Sequence, residues 1–360
     1  MIRGHVFVVN ENTLPIHLKY QFVGTGAGDR DSNISLLADM LRVKEGDYIF
    51  FYIEGSENKK GRFFGIFKSK DNKVYHLKGE DAKKPNLPKK LIYRKDIEPY
   101  KVYSEGVLEF IALDKLPIYS RELLWMLIYR KMKGKRGNTM LFPWEVERLL
   151  NMIKDENNGN IITCKDGYDF DNQNFRIICG DKKYYNHGES FRLNFNKRDI
   201  NSETAFQAYI MQELKIENNK YYPEIFGKNI AWIGNEVFAG AGMQKIDILT
   251  IEKADCDDIL YRIIELKYVK NNNLDDIKRA PKQLEYYIKW ARDDIGGHLR
   301  NAKSYNTKPI LLILDKTNNI LSNPENFPKD VLSEIKDLNK ISYEPEIWVM
   351  DFNNNIEKIL

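Results

Sequence analysis

The sequence predicts a two-domain protein of α/β and α+β class: an N-terminal β-barrel with helices, followed by a C-terminal mixed sheet that is flanked by helices. Its 360 residues exceed what one hydrophobic core usually serves, so two domains are expected. Residues 1–115 contain short strand-like segments separated by turn signals, which is typical of a small barrel. From residue 201 onward, strand-like and helix-like segments alternate, and this order favours an α/β domain.

The first domain is expected to span residues 1–155. Its opening segment, residues 1–9, is apolar but too short for a secretory signal, so we expect a strand there. Two further strands are predicted at 47–53 and 61–67, where apolar and aromatic residues follow turn residues. Two apolar stripes then predict the helices that close the domain, one through Leu123, Leu124, Leu127 and Ile128 and one through Val146, Leu149, Leu150 and Ile153.

Residues 156–200 are rich in Asn, Asp, Gly and Lys, which predicts a connector or a hairpin. The second domain is expected at residues 201–360. Its predicted elements, in chain order, are a helix at 202–214, strands at 230–238, 244–251 and 260–269, a helix at 275–294, a strand at 309–314, a helix at 329–339 and a strand at 346–350.

The composition restricts the class of protein and its surroundings. No apolar run approaches the roughly 20 residues that cross a bilayer, so we expect no membrane partner. Cys164, Cys179 and Cys256 include no close-spaced pair, which argues against a disulfide framework and a structural zinc site and favours a reducing cytoplasm. The net charge of +4 permits nucleic acid as a partner without requiring it.

Three polar residues interrupt the predicted strands of the second domain. Asp247 lies in an otherwise apolar strand, where a lone inward-facing carboxylate is costly. On the next strand, the side-chain period of two places Glu265 and Lys267 on the same face. Two carboxylates and a lysine are therefore expected to converge.

Such a group suits the hydrolysis of a phosphodiester bond. Asp247, Glu265 and the backbone carbonyl of Leu266 offer hard oxygen ligands to Mg²⁺ or Mn²⁺. Lys267 would orient or help deprotonate the attacking water, or stabilise the charge that develops on the phosphate. A salt bridge at an exposed strand end is the alternative interpretation of the same three residues.

An acid followed on the next strand by Glu265-Leu266-Lys267 resembles the core motif of the PD-(D/E)xK nuclease superfamily. Gln283 and Tyr287, one helical turn apart, resemble the Gln-x-x-x-Tyr motif that RecB-like and NucS-like members place beside the site. The segment 201–207 resembles the family's first helix, which donates a carboxylate to the metal, here Glu203. The resemblance therefore implies six site residues, with the first three named also as metal ligands: Glu203, Asp247, Glu265, Lys267, Gln283 and Tyr287.

The pattern covers about residues 200–295 and looks most like the C-terminal domain of NucS-like, DUF91-type endonucleases, which implies a restriction-endonuclease-like sheet. Two of the six residues also fit a purely structural role. Glu203 could be a first-turn acid that the helix dipole favours, and Tyr287 could pack in the core. The acidic stretch at 252–258 is longer than a tight hairpin needs, and this departure from the family pattern leaves the substrate path open.

The first domain carries a second resemblance. Residues 41–52, followed by a strand that contains Gly65-Ile66-Phe67, resemble PUA-like barrels of the EVE and YTH type. Such domains read a modified or flipped base in an aromatic-lined pocket. Core packing is the alternative for each aromatic residue that could line such a pocket. These candidates are Tyr20, Phe22, Tyr52, Phe64 and Tyr103.

Two further segments bear on nucleic-acid binding. Residues 24–33 are Gly-rich but lack the Lys-Ser/Thr of a phosphate-binding P-loop, so no nucleotide site follows from them. Five basic residues cluster beside an apolar helix and are the candidate phosphate contacts, with a solvated helix end as the alternative. They are Arg130, Lys131, Lys133, Lys135 and Arg136.

These observations predict a Mg²⁺-dependent DNA endonuclease that acts in the restriction of foreign or modified DNA. A NucS-like repair or structure-specific nuclease is one alternative, and a nucleic-acid-binding protein without catalysis is another. Because cutting both strands of DNA often requires two active sites, a homodimer is expected.

Overall fold

The computed structural model describes residues 1–55, 59–113, 137–240, 244–253, 259–270, 274–295 and 305–360. The chain divides into two compact units, Met1–Arg192 and Leu193–Leu360. This boundary lies inside the segment 156–200 that the sequence suggests as a connector, and most of that segment belongs to the first unit. No helix in the described ranges is both long enough and apolar enough to cross a membrane.

The main sheet of the first unit contains, in the described ranges, the strands β1 (Gly4–Val9), β2 (Phe22–Thr25), β3 (Tyr48–Ile53), β4 (Arg62–Ser69), β5 (Tyr75–His76), β6 (Tyr93–Pro99), β7 (Val107–Leu108) and β8 (Asn138–Leu141). Their order is β2-β6-β4-β3-β1-β8, with β5 beside β6 and β7 beside β4. The strands β1 and β3 are parallel, and the other pairs are antiparallel. The predicted barrel is thus a curled half-barrel sheet.

The helices of the first unit are α1 (Leu14–Tyr20), α2 (Ile34–Leu41), α3 (Glu109–Leu113) and α4 (Pro143–Glu156). A parallel pair needs a crossover, and the chain from α1 through β2 to α2 supplies it between β1 and β3. Helix α4 places Val146 and Leu149 in the core cluster that also contains Val6 and Phe50 of the sheet. The other predicted helix, through Leu123, lies outside the described residues.

A separate hairpin in the first unit consists of β9 (Tyr168–Asp171) and β10 (Arg176–Cys179). Cys164 and Cys179 form a disulfide beside it, with 5.3 Å between their Cα atoms. The prediction against disulfide pairing is therefore wrong for these two residues. A separation of 15 residues has no signature of its own, and it is the fold of the hairpin that brings the two Cα atoms within bonding range. Cys256 lies outside the described residues.

In the second unit the strands form one mixed sheet in the order β11-β12-β13-β14-β15-β16: β11 (Ile230–Ala239), β12 (Gln244–Lys253), β13 (Ile259–Val269), β14 (Tyr305–Asp315), β15 (Glu346–Met350) and β16 (Ile356–Lys358). The pairs β13–β14 and β14–β15 are parallel, and the other pairs are antiparallel. The helices are α5 (Glu203–Glu213), α6 (Pro223–Phe226), α7 (Ala280–Trp290), α8 (Asn319–Ser322) and α9 (Lys329–Asp337).

The predicted mixed sheet with helices is confirmed. Residues 310–314 of β14 are all buried, as expected for a strand that has parallel neighbours on both sides. Helix α7 is shorter than the predicted 275–294, because a 3₁₀ turn precedes it and a π-helical turn follows it. Strand β16 has no counterpart among the predicted elements, since its three residues are too few to show a periodicity.

Candidate active site

The candidate site lies where two neighbouring strands of the second unit separate. Within the described residues, the pairing of β12 with β13 ends at Ile248 and Ile264. Beyond that point β12 remains paired with β11, and β13 remains paired with β14. Asp247 and Glu265 are the next residues on the two strands, and Lys267 follows on β13. The sheet therefore splits at the residues that the motif singles out.

Side chains bond the backbone groups that the split leaves without a strand partner. Oδ2 of Asp247 accepts the backbone N–H of Leu266 at 2.8 Å. The side-chain amide of Gln207, on α5, donates to the backbone carbonyl of Asp247 at 2.9 Å. The hydroxyl of Tyr287, on α7, donates to the carbonyl of Lys245 at 2.7 Å. Because buried backbone groups need partners, these three hydrogen bonds stabilise the open arrangement.

Lys267 is the cation at the centre of the site. Its ammonium nitrogen lies 2.6 Å from Oε1 of Glu265 and 3.9 Å from Oε2 of Glu203. Glu265 is 2% exposed and Lys267 is 7% exposed, so this is not a salt bridge at an exposed strand end. The hydroxyl of Ser202 accepts the Ala205 N–H at 3.2 Å and caps α5, which places Glu203 in the first turn of that helix.

Tyr287 and Gln283 belong to the same cluster. The two residues lie one helical turn apart on α7, and Tyr287 is 2% exposed. Burial raises the pKa of Tyr287 well above its ordinary value, and the charges of Glu265 and Asp247 raise it further. Tyr287 thus faces both carboxylates, yet its hydroxyl donates to the backbone of β12.

The pKa values of all three carboxyl groups at the site are raised. Burial is the largest cause of the raised pKa of Asp247, and the charges of Glu265 and Glu203 add to it. The pKa values of Glu265 and Glu203 are also raised, in both cases chiefly by burial. Burial alone would lower the pKa of Lys267, but the adjacent carboxylates outweigh it and raise that pKa. Negative charge therefore exceeds positive charge, and the site favours an added proton or cation.

The oxygen atoms of Asp247 and Glu265 fit a small hard cation. Oε2 of Glu265 is buried and has no hydrogen-bond donor among the described residues. The Glu265 carboxylate can bond the Asp247 carboxyl only while that group holds a proton, which a divalent cation could replace. No group of three or more acidic, histidine or cysteine side chains in the described ranges has the arrangement of a metal site. Magnesium commonly uses only one or two carboxylates and completes its shell with water.

Gln207 is a site residue that the family motif does not reveal. It is buried and lies one helical turn after Glu203, so the two side chains share a face of α5. Its amide donates to β12, and its side-chain oxygen lies 3.5 Å from Nδ2 of Asn235 on β11. The spacing of four residues from Glu203 is the sequence signal that points to it.

Four of the five aromatic candidates of the first unit are buried in the described structure. Tyr20 lines an open cleft, whereas the other four are buried. The rings of Phe22 and Phe64 have no exposed surface, Tyr52 stacks on a neighbouring ring, and Tyr103 belongs to the core cluster. These four fill the core, as the core-packing alternative predicts.

The five candidate phosphate contacts, Arg130, Lys131, Lys133, Lys135 and Arg136, lie outside the described residues.

No protein-family model matches the chain, and no curated protein matches it. Several solved structures are similar to part of it. A hypothetical protein from Leishmania major has 14% identity and a TM-score of 0.32, and the match covers 43% of this chain and 97% of that chain. Human THYN1 protein in complex with 5-methylcytosine containing DNA has 13% identity and a TM-score of 0.29, covering 42% and 98%. The DUF55 domain of human thymocyte nuclear protein 1 has 14% identity and a TM-score of 0.29, covering 42% and 98%.

Proposed function

We propose that this chain is a metal-dependent endonuclease that hydrolyses phosphodiester bonds in DNA. The convergence of Asp247, Glu265 and Lys267 at the split between β12 and β13 carries the proposal. Asp247 and Glu265 are the residues that would hold Mg²⁺ or Mn²⁺. When bound, such an ion supplies Lewis-acid polarisation of the phosphate and a more acidic water.

The remaining residues act on charge and position. In the metal-free protein the neighbouring carboxylates raise the pKa of Lys267, and its ammonium group would serve as a donor to the phosphate. Glu203 holds the ammonium from the α5 side. Gln207 and Tyr287 are positioning residues, since both bond the backbone of the strand that carries Asp247.

The first unit has the proposed role of recognising DNA and sensing its modification. This part of the proposal is supported by the resemblance of residues 41–52 and the strand with Gly65-Ile66-Phe67 to EVE- and YTH-type barrels. A modification reader combined with a nuclease favours restriction of foreign or modified DNA over repair.

A cleavage assay with Mg²⁺ on duplexes that differ only in base modification tests both parts. We expect the duplex with modified cytosine to be cut at a different rate from the unmodified one, and the mismatched duplex to be cut no faster than the unmodified one. Preference for the mismatched duplex would identify a repair or structure-specific nuclease. Absence of cleavage on every substrate would contradict the nuclease proposal.

Calorimetric titration with Mn²⁺ separates an enzyme from a non-catalytic DNA-binding protein. The parent protein is expected to bind the ion, and Asp247→Asn is expected to lose that binding. Glu252→Gln is the matched control. Glu252 is also a carboxylate of β12, but it lies away from the split, and its Oε2 atom is 2.8 Å from Nη2 of Arg262. Equal Mn²⁺ binding by the parent, Asp247→Asn and Glu252→Gln would show that Asp247 is not a ligand of the metal.

A further inference from the structure

An open cleft of about 320 Å³ lies on the first unit. Its walls come from the C-terminal end of α1, the end of β6 and the two loops that flank the β9–β10 hairpin. This volume is at the lower end of the roughly 300–1,000 Å³ that small-ligand pockets occupy. The cleft is therefore the right size for one nucleotide and too small for a duplex.

Covalent and hydrogen bonds fix the loops that form the cleft. Cys164 lines it and is joined by the disulfide to Cys179 at the end of β10. The backbone N–H of Gly180 donates to the carbonyl of Gly167 at 3.0 Å. The backbone N–H of Lys183 donates to the carbonyl of Lys19, in α1, at 2.8 Å. The loop 182–185 is thus attached both to the hairpin and to α1.

Tyrosine side chains provide the aromatic surface of the cleft: Tyr20, Tyr168, Tyr184 and Tyr185 line it. Tyr185 already packs on His187, with ring centroids 4.9 Å apart, and Tyr168 is buried. Tyr184 is 85% exposed and has no ring partner among the described residues. A ring that is held at a cleft but left uncovered offers a stacking surface to a flat ligand.

The charged residues of the cleft favour an anion. Lys70, Lys165, Lys182 and Lys183 line it together with Asp96 and Glu98. Lys165, Lys182 and Lys183 form no ion pair within the described ranges. Asp96 is already engaged, because it accepts the Tyr75 hydroxyl at 3.2 Å and lies 3.4 Å from Nε2 of His187. Four lysines outnumber the two acids that line the cleft, so positive charge is in excess.

We propose that this cleft binds one nucleotide unit of a single-stranded nucleic acid. The base stacks on Tyr184, and the phosphates contact Lys182 and Lys183, which is how strand-binding grooves combine ring faces with cations. An acidic peptide would satisfy the lysines and leave the ring uncovered. The site stands independently of the chemistry at Asp247, because every residue that forms it belongs to the first unit.

Fluorescence anisotropy with the full chain in EDTA, where no metal-dependent cleavage occurs, tests this site. The probes are a labelled oligothymidylate and an abasic strand of equal length. Tyr184→Ala is expected to weaken binding of the first probe roughly fivefold or more and to leave the second unchanged, because a base–ring contact contributes about 1–3 kcal/mol. Lys182→Ala should weaken both probes, and Glu98→Gln should strengthen both.

Lys89→Ala is the control, since Lys89 is exposed and does not line the cleft; it should bind both probes as the parent does. Tyr184 is so exposed that its removal does not threaten the fold. Thymidine monophosphate is then tested as a competitor of the labelled oligothymidylate. If it competes as strongly as the unlabelled strand, the ligand is a free nucleotide, and if it competes more weakly, the ligand is the strand. Both results support a nucleotide site. Unchanged oligothymidylate binding in Tyr184→Ala, or equal competition by polyglutamate, would overturn the proposal.

Discussion

Asp247 links the geometry of the sheet to the chemistry of the site at the scale of single residues. Its carboxylate replaces a strand partner for the Leu266 N–H and is also a candidate metal ligand. The alternation of side chains along β13 predicts the placement of Glu265 and Lys267. It does not predict the role of Gln207, because that bond depends on where β12 leaves β13.

The raised pKa of Asp247 predicts that Asp247→Asn stabilises the metal-free protein at neutral pH. Between the ordinary aspartate pKa, about 3.9, and the higher value in the fold, the folded protein binds more protons than the unfolded chain. Stability therefore falls as the pH rises through this window. Thermal unfolding in EDTA should give Asp247→Asn a higher midpoint than the parent at pH 8, and the difference should shrink toward pH 4.

Glu252→Gln should behave in the opposite way. Burial raises the pKa of Glu252, but the bond and charge of Arg262 outweigh it and leave the pKa lowered. This pair contributes stability at neutral pH that is lost as the pH falls, so the variant should unfold at a lower midpoint at pH 8. A lower midpoint for both variants at pH 8 would show that the charge balance at Asp247 is misassigned.

Gln207→Leu is expected to lower the free energy of unfolding by about 1–3 kcal/mol, because it leaves the backbone carbonyl of Asp247 without its donor. Urea unfolding measures this quantity. Gln173→Leu, at an exposed position of the hairpin loop, is the control and should change it little. A loss in Gln207→Leu no larger than in the control would mean that the split does not depend on this bond.

At the scale of elements, periodicity predicts most of the strands and helices of the second unit, because their apolar residues recur with the period of the element. The end of the β12–β13 pairing is not predictable in this way. It depends on hydrogen bonds from α5 and α7, which are distant in sequence from β12. The Cys164–Cys179 disulfide is equally hidden, since the pairing follows from the hairpin and not from the cysteine spacing.

Removal of that disulfide should destabilise the first unit. A closed loop of this length restricts the unfolded chain by about 3 kcal/mol, which corresponds to a fall in the unfolding midpoint of roughly 6–12 °C. Calorimetry of the double variant Cys164→Ser/Cys179→Ser measures the change. The parent in a reducing agent should have the same unfolding midpoint as the variant. If the variant instead unfolds at the midpoint of the parent without a reducing agent, the disulfide does not form in solution.

At the scale of the whole molecule, the chain length predicts two domains, and the described structure divides into the compact units Met1–Arg192 and Leu193–Leu360. The position of the boundary is less accessible from sequence. Polar residues at 156–192 suggest a connector, but the hairpin and the disulfide make this segment part of the first unit.

We propose that two copies of the chain act together on duplex DNA, because the described residues of Leu193–Leu360 provide one candidate centre and cutting both strands often uses two. Sedimentation of the protein–DNA complex is expected to give a protein mass of twice the 42.3 kDa of one chain for each DNA molecule. Plasmid should be linearised with little nicked intermediate. A single chain per DNA molecule, with nicked circles as the stable product, would contradict the homodimer.

The cleavage rate of variants at the split tests the nuclease proposal most directly. With Mg²⁺ and a substrate that the parent cuts, Asp247→Asn and Lys267→Met should each lose roughly 100-fold or more in rate, because the first removes a ligand of the metal and the second removes the cation that contacts the reacting phosphate. Glu252→Gln should cut like the parent at a temperature where all four proteins are folded. Cleavage by Asp247→Asn and Lys267→Met at the parental rate would contradict the assignment of the reaction to this site.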